Sequence, residues 1–218
     1  MSRSYYYTTL NEETGRELSD RLGHLRSALH LVSTYNVLDI GCAEGLISME
    51  IAPFVSEVRA FDIRPQRIQA ARKLAQEHHI PNVRFEVGSL FEVELAPLSY
   101  DVVLFLGVYH QLPKASREHI LRTILEASRH QVAIRTRIHR DPEVRKALLD
   151  ACRDKGFEVT FERTYEAERH KETRELKRLW GRWSGSTTTL HRSLMLVATR
   201  LGSQAFFLWI SIQAVLPA

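Results

Sequence analysis

"NVLDIGCAEGL", Asn36 to Leu46, is an apolar run that closes on an acid and opens into a turn with two glycines, Gly41 and Gly45. Read outward, the same transition recurs. "EVRAFDI", "NVRFEVGSL", "YDVVLFLGV", "QVAIRTRI", "FEVTFERTY" and "RSLMLVATR" are strand-like runs. Between them lie helical patterns: "GLISMEIAPF", stopping near Pro53, a helix opened by Pro65, and one from Lys114 to Ser128. A further helix is expected from the Asp141–Pro142 pair to Lys155, with Gly156 as its stop. Leu18, Leu22, Leu25, Leu29 and Val32 recur at helical spacing, so a helix is expected over about residues 12–32. Strands that alternate with helices, several of them apolar throughout, build a parallel sheet covered on both faces. The expected fold is therefore α/β: a doubly wound, mostly parallel, seven-stranded sheet with helices on both faces.

Composition sets the bounds. The chain has 218 residues, 44% hydrophobic and 26% charged, with a net charge of +4. That suits one soluble globular domain and admits an anionic partner without demanding one. The organisation expected is one domain over residues 1–200, with a lead-in over 1–34, an insertion over 166–191 between the sixth and seventh strands, and an apolar tail over 201–218. Two distant cysteines, Cys42 and Cys152, show no metal-like spacing, so a reducing compartment and no metal are expected. The start of the sequence lacks the apolar core of a secretory signal, so a cytoplasmic location is expected. The tail "AFFLWISIQAVL", Ala205–Leu216, has 12 residues and is too short to span a bilayer. A packed terminal element, a homodimer contact or peripheral membrane contact are the readings open to it.

In such sheets a ligand sits beyond the carboxyl ends of the strands, beside the first strand. Gly41 and Gly45 lie at that place, and glycine permits a tight turn and close approach. Asp62 closes the second strand 21 residues after Gly41, where an acid can accept from both hydroxyls of a ribose. A dinucleotide fingerprint would need glycines where Ala43 and Leu46 stand.

The loop instead resembles motif I of class I S-adenosylmethionine-dependent methyltransferases, reading Asp39, Gly41, Ala43, Gly45. The likeness continues through Asp62, through "GSL" at Gly88–Leu90 and through "DVVLFLGVYHQLP" at Asp101–Pro113. It covers roughly residues 30–165 and implies a Rossmann-like methyltransferase fold with S-adenosyl-L-methionine as cofactor. On this resemblance Asp39, Gly41, Cys42, Ala43 and Gly45 hold the methionine part and Asp62 the ribose. Ile63, Ser89 and Leu90 flank the adenine, and Gly107 forms the floor near the sulfonium. Ala43 stands for the middle glycine, and Ser89 for a frequent acid, so its hydrogen bond lacks charge assistance.

Methyl transfer from a sulfonium is an in-line displacement in which alignment counts for much. A base is needed only where the acceptor must lose a proton. His110 and Tyr109, just past the fourth strand, are the catalytic candidates; histidine is the side chain suited to proton transfer near neutrality, and Tyr109 reads more readily as packing. "RTRIHR" ends the fifth strand, and Arg135, Arg137 and Arg140 suit an acceptor that carries carboxylate or phosphate. The favoured function is methyl transfer to a small or amphiphilic, anionic acceptor. An alternative is an RNA-modifying transferase, which predicts a continuous basic surface joining Arg135, Arg137 and Lys177–Arg182. It draws on a short likeness of "YYYTTLNEETG" and "GVYH" to wobble-uridine tRNA carboxymethyltransferases, which use a carboxylated cofactor. A third reading is a non-catalytic cofactor-binding protein. "KRLWGRW" interleaves basic and aromatic residues, and "SGSTTTLHR" after it is expected to be a loop.

Overall fold

A computed structural model describes residues 25–137, 143–172 and 186–202, with side chains described outside 165–193. Residues 25–28 are helical, and Leu25 and Leu29 are buried. The helix expected to reach residue 32 has therefore ended by 28, and its earlier part lies outside the described residues. Strand β1 is Asn36–Ile40 and is followed by the six-residue helix α1, Leu46–Ile51. Pro53 allows only a further 3₁₀ turn, Ala52–Phe54. Strand β2 (Glu57–Asp62), helix α2 (Pro65–Glu77) and strand β3 (Val83–Val87) complete the first half. Strand β4 is Tyr100–Leu106 and leads through a 3₁₀ turn, Tyr109–Gln111, into helix α3, Lys114–Ala127.

Strand β5, Ser128–Arg137, begins directly where α3 ends, three residues earlier than its apolar pattern predicts. A register irregularity against β4 absorbs Arg129 and His130: Tyr100 faces Ser128, and Val102 already faces Gln131. Helix α4, Glu143–Asp154, stops at Gly156, whose φ of +73° is left-handed. The expected Asp141–Pro142 cap lies outside the described residues.

The sheet order is β3-β2-β1-β4-β5-β7-β6. The five strands β1 to β5 pair in parallel; β7 runs antiparallel to both β5 and β6. Central strands are buried on both faces, which is why β1 and β4 are apolar throughout. One face packs on α3 and α4 through Phe105, Ile134, Ile124 and Leu148. The other packs on α1, α2 and the lead-in through Leu104, Ala133, Ile68 and Leu25.

Strands β6 (Phe157–Glu172) and β7 (Ser186–Arg200) are far longer than their apolar cores. Half of the expected insertion over 166–191 is thus paired strand, and residues 173–185 lie outside the description. The expected loop over "SGSTTTLHR" is corrected likewise, since Ser186–Arg192 belong to β7. Successive β-branched threonines at 187–189 suit a pleated ribbon better than a loop. Apolar periodicity could not reveal this arm, because its alternation is one of charge. Among the described residues no helix is long and apolar enough to cross a membrane.

Candidate functional site

The carboxyl ends of β1, β2 and β4 converge on one corner. Gly41 and Cys42 both donate their N–H to Phe61 O, at 2.8 and 3.0 Å, which ties the first loop to β2. Gly41, Ala43 and Gly45 all have positive φ. The protein's own packing already requires both glycines. A Cβ on Gly41 would lie 2.4 Å from Val108 Cγ2, and one on Gly45 would lie 2.4 Å from the Phe85 ring.

Asp62 is 6% exposed and joins two segments. Its Oδ2 accepts from Ala43 N at 3.1 Å and its Oδ1 from Arg64 N at 2.9 Å. It does not cap α2, whose N-cap Arg64 has no side-chain cap bond. Each carboxylate oxygen retains capacity for a further donor. Exposed apolar side chains stand beside it, Ile63 at 67% and Val87 at 50%. Leu90 is half-buried, and Ser89 Oγ already accepts from Phe91 N at 3.3 Å. A separate cleft of about 570 Å³, lined by the segment 90–96 and by His119, Ile120 and Thr123 of α3, meets this corner only at Leu90.

Asp39 is 3% exposed and accepts from Ser48 Oγ at 2.6 Å. Burial raises its carboxyl to about 6 against the Ser48 bond, with the Asp62 charge adding to the rise. A carboxyl whose folded value lies above its unfolded value stabilises the fold when protonated. That contribution is full below about pH 4 and is lost as pH rises through about 6. We expect Asp39→Asn, which keeps the Ser48 acceptor, to flatten the urea midpoint between pH 4 and pH 7 relative to the parent, by about 2–3 kcal/mol. Equal pH slopes in the two proteins would refute this.

Cys42 is buried; burial first, then the charges of Asp39 and Asp62, pushes its thiol upward, so it is no nucleophile. Glu44 was not singled out from the sequence, yet it is buried at 4% with Oε1 3.9 Å from Arg67 Nε. Arg67 also lies 3.8 Å from Asp62 Oδ2. An acid between two loop glycines was the signal available for it.

At the end of β4, Gly107 has φ +84° and donates to Arg135 O at 2.7 Å. Its carbonyl accepts from Gln111 Nε2 at 2.6 Å. Arg135 Nη2 lies 3.6 Å from where a Gly107 Cβ would sit. Neither Arg135 nor Arg137 has a carboxylate partner among the described residues; Glu118 pairs with Arg122 instead. Arg140, Lys177, Arg178, Trp180, Arg182 and Trp183 lie outside the described residues. Tyr109 is 4% exposed, edge-on to Phe105 and under the Arg117 guanidinium at 5.4 Å, so its ring is packing. His110 is half-buried on the turn over β4, and its carbonyl accepts from Arg117 Nη2 at 3.2 Å.

The corner therefore offers a buried acid suited to a cation, an acid suited to two hydroxyls, and an apolar pair suited to a flat ring. Those are the groups of a nucleoside bearing an amino acid. Comparisons with known proteins give the family. A family model described as a methyltransferase domain matches residues 31–183. The bifunctional methyltransferase/kinase WbdD of Escherichia coli, an O-antigen chain terminator, is 33% identical over 79 residues, 35% of this chain and 11% of that protein. The chain thus spans about a tenth of that relative's length. Among solved structures, the YcgJ protein of Bacillus subtilis superposes with a TM-score of 0.66 at 11% identity, covering 85% of this chain and all of that one (100%). Magnesium protoporphyrin IX methyltransferase of Synechocystis, solved with bound S-adenosylmethionine, gives 0.60 at 18% identity, covering 90% and 84%.

Proposed function

The chain belongs to the methyltransferase domain family, and we propose that it transfers a methyl group to an anionic acceptor seated over Gly107. It is an S-adenosylmethionine-dependent enzyme. The cofactor, when bound, supplies an activated methyl on a sulfonium. The residues of the corner do the rest. Asp39 would meet the ammonium of the methionine part, and the Gly41–Gly45 loop would hold that part. Asp62 would accept hydrogen bonds from the ribose hydroxyls, while Ile63 and Leu90 would cover the adenine. Ser89 has one acceptor site left for the adenine amino group. Gly107, bare of a side chain, would form the floor near the sulfonium.

The observation that carries the acceptor reading is the Arg135 guanidinium beside Gly107, with Arg137 two residues on and no acid opposing either among the described residues. Two guanidiniums at the mouth grip carboxylate or phosphate bidentately. His110, on the turn after β4, is our candidate to take a proton from a hydroxyl or amine acceptor.

The test uses S-adenosylmethionine carrying a labelled methyl, offered with carboxylate- and phosphate-bearing small molecules and with extracted RNA. Transfer is expected to an anionic acceptor. His110→Ala should lower turnover by about 10²-fold or more, while the affinity for S-adenosylhomocysteine stays within twofold. Unchanged turnover would remove His110 from the chemistry. A folded, ligand-free chain that does not bind S-adenosylhomocysteine by calorimetry would sink the site assignment.

A further inference from the structure

Strands β6 and β7 outrun the rest of the sheet. The last β5 pair is Arg137 with Ser193, and the ribbon continues for seven more pairs, from Glu166–Arg192 to Glu172–Ser186. At about 3.3 Å per residue this is an arm of about 23 Å beyond the carboxyl edge, the edge that bears the site.

Its charge is sorted by face. Side chains alternate across a strand, and paired residues share a face. Phe161 packs in the cluster on the lead-in side, with Ala133 and Val197. By that register the β6 positions continuing this face are Arg163, Tyr165, Ala167, Arg169 and Lys171. On β7 they are Ser193, His191, Thr189 and Thr187, and on β5 they are Arg135 and Arg137. Five permanent cations and no acid occupy these positions. The opposite face takes Glu162, Glu166, Glu168 and Glu172, with Arg192 as the one arginine among them. Glu162 binds Arg145 of α4 at 2.6 and 2.9 Å, which confirms which face is which.

We infer that the basic face of the β6–β7 ribbon is a track for a single nucleic-acid strand that leads its acceptor nucleotide to Gly107. This rests on the methyl-transfer reading and names the class of its acceptor. A small anion needs one cluster of donors at the mouth, whereas here cations and hydroxyls extend along an arm in line with it. Arginine, lysine, serine and threonine are the residue types that hold successive phosphates. A membrane surface fits less well. Interfacial binding needs a broad apolar face, and the track positions offer only Tyr165 and Ala167. This moves the acceptor from the small molecule favoured by the sequence alone to a strand.

The test is fluorescence anisotropy of the full chain with a labelled oligoribonucleotide, its deoxy counterpart and anionic lipid vesicles. The oligoribonucleotide should bind in a salt-dependent way. Arg169→Gln with Lys171→Gln should weaken it about tenfold and lower the log–log salt slope by about 1.4, the value for two phosphate contacts to a single strand. Glu168→Gln with Glu172→Gln, on the other face, should bind no more weakly than the parent. Equal deoxy binding assigns recognition to phosphates, tighter ribo binding to the 2′-hydroxyls; both uphold the track. Absent oligonucleotide binding, an unaffected Arg169/Lys171 variant, or vesicle binding in its place would overturn it. S-adenosylhomocysteine calorimetry on the same samples separates the readings. Intact cofactor binding with no strand binding rejects the track alone. Strand binding without cofactor binding rejects the methyl-transfer reading and leaves the track.

Discussion

Gly45→Ala should unfold at a markedly lower denaturant midpoint, with a loss of about 3 kcal/mol. Two costs add. The backbone at φ +74° is left-handed, which costs an alanine about 1–2 kcal/mol. The new methyl would sit 2.4 Å from the Phe85 ring and 3.2 Å from Ala71 Cβ, an overpacking worth about 1–3 kcal/mol more. Reduced freedom in the unfolded chain returns at most about 1 kcal/mol. Phe85 is 4% exposed and is the sole buried residue of β3, so it cannot swing away without opening the edge of the sheet. The measurement is urea unfolding of Gly45→Ala, Phe85→Leu and the double variant. A favourable coupling between the two substitutions would assign part of the loss to the clash. A loss below about 0.5 kcal/mol in Gly45→Ala would show that the loop has another conformation of similar energy.

Asp62→Ala should weaken S-adenosylhomocysteine binding about 100-fold by calorimetry, from the loss of two hydrogen bonds between ribose hydroxyls and a charged acceptor. It should also cost the fold about 1–3 kcal/mol, because the buried Ala43 N–H and the Arg64 N–H lose their acceptor. Asp62→Asn keeps one acceptor oxygen and should fall between the two. The split between readouts is decisive. Lost stability with affinity kept within threefold would make Asp62 a strut between the loop and α2 and nothing more. Lost affinity with stability kept would make it a ligand group only. The geometry expects both losses together.

Much of this corner could be read along the chain. Asp39, Gly41, Gly45 and Asp62 announce themselves because their spacing follows the strand–turn–helix rhythm that positions them. Other parts could not be read. Glu44, Arg67 and Ser48 come to the acids only when the first loop folds against β2 and α1. The crowding around the two glycines could not be read either. Sequence suggests room for a ligand, whereas Val108 and Phe85, from β4's exit and β3, supply the crowding. Tyr109 stands beside His110 in sequence, yet a single turn of 3₁₀ helix sends its ring into the core.

Local pattern was enough for the alternation of strands and helices, for the parallel core, and for the tight turn at the end of β1, because burial on both faces and tight turns leave marks in neighbouring residues. Strand order, and what stands beside what, are long-range facts. Placing β7 between β5 and β6 sets the odd positions of β6 in line with Arg135 and Arg137. Only that pairing turns an unremarkable mixture of Glu and Arg into a ribbon with one acidic and one basic face, since charge has no side until the register of the sheet supplies one.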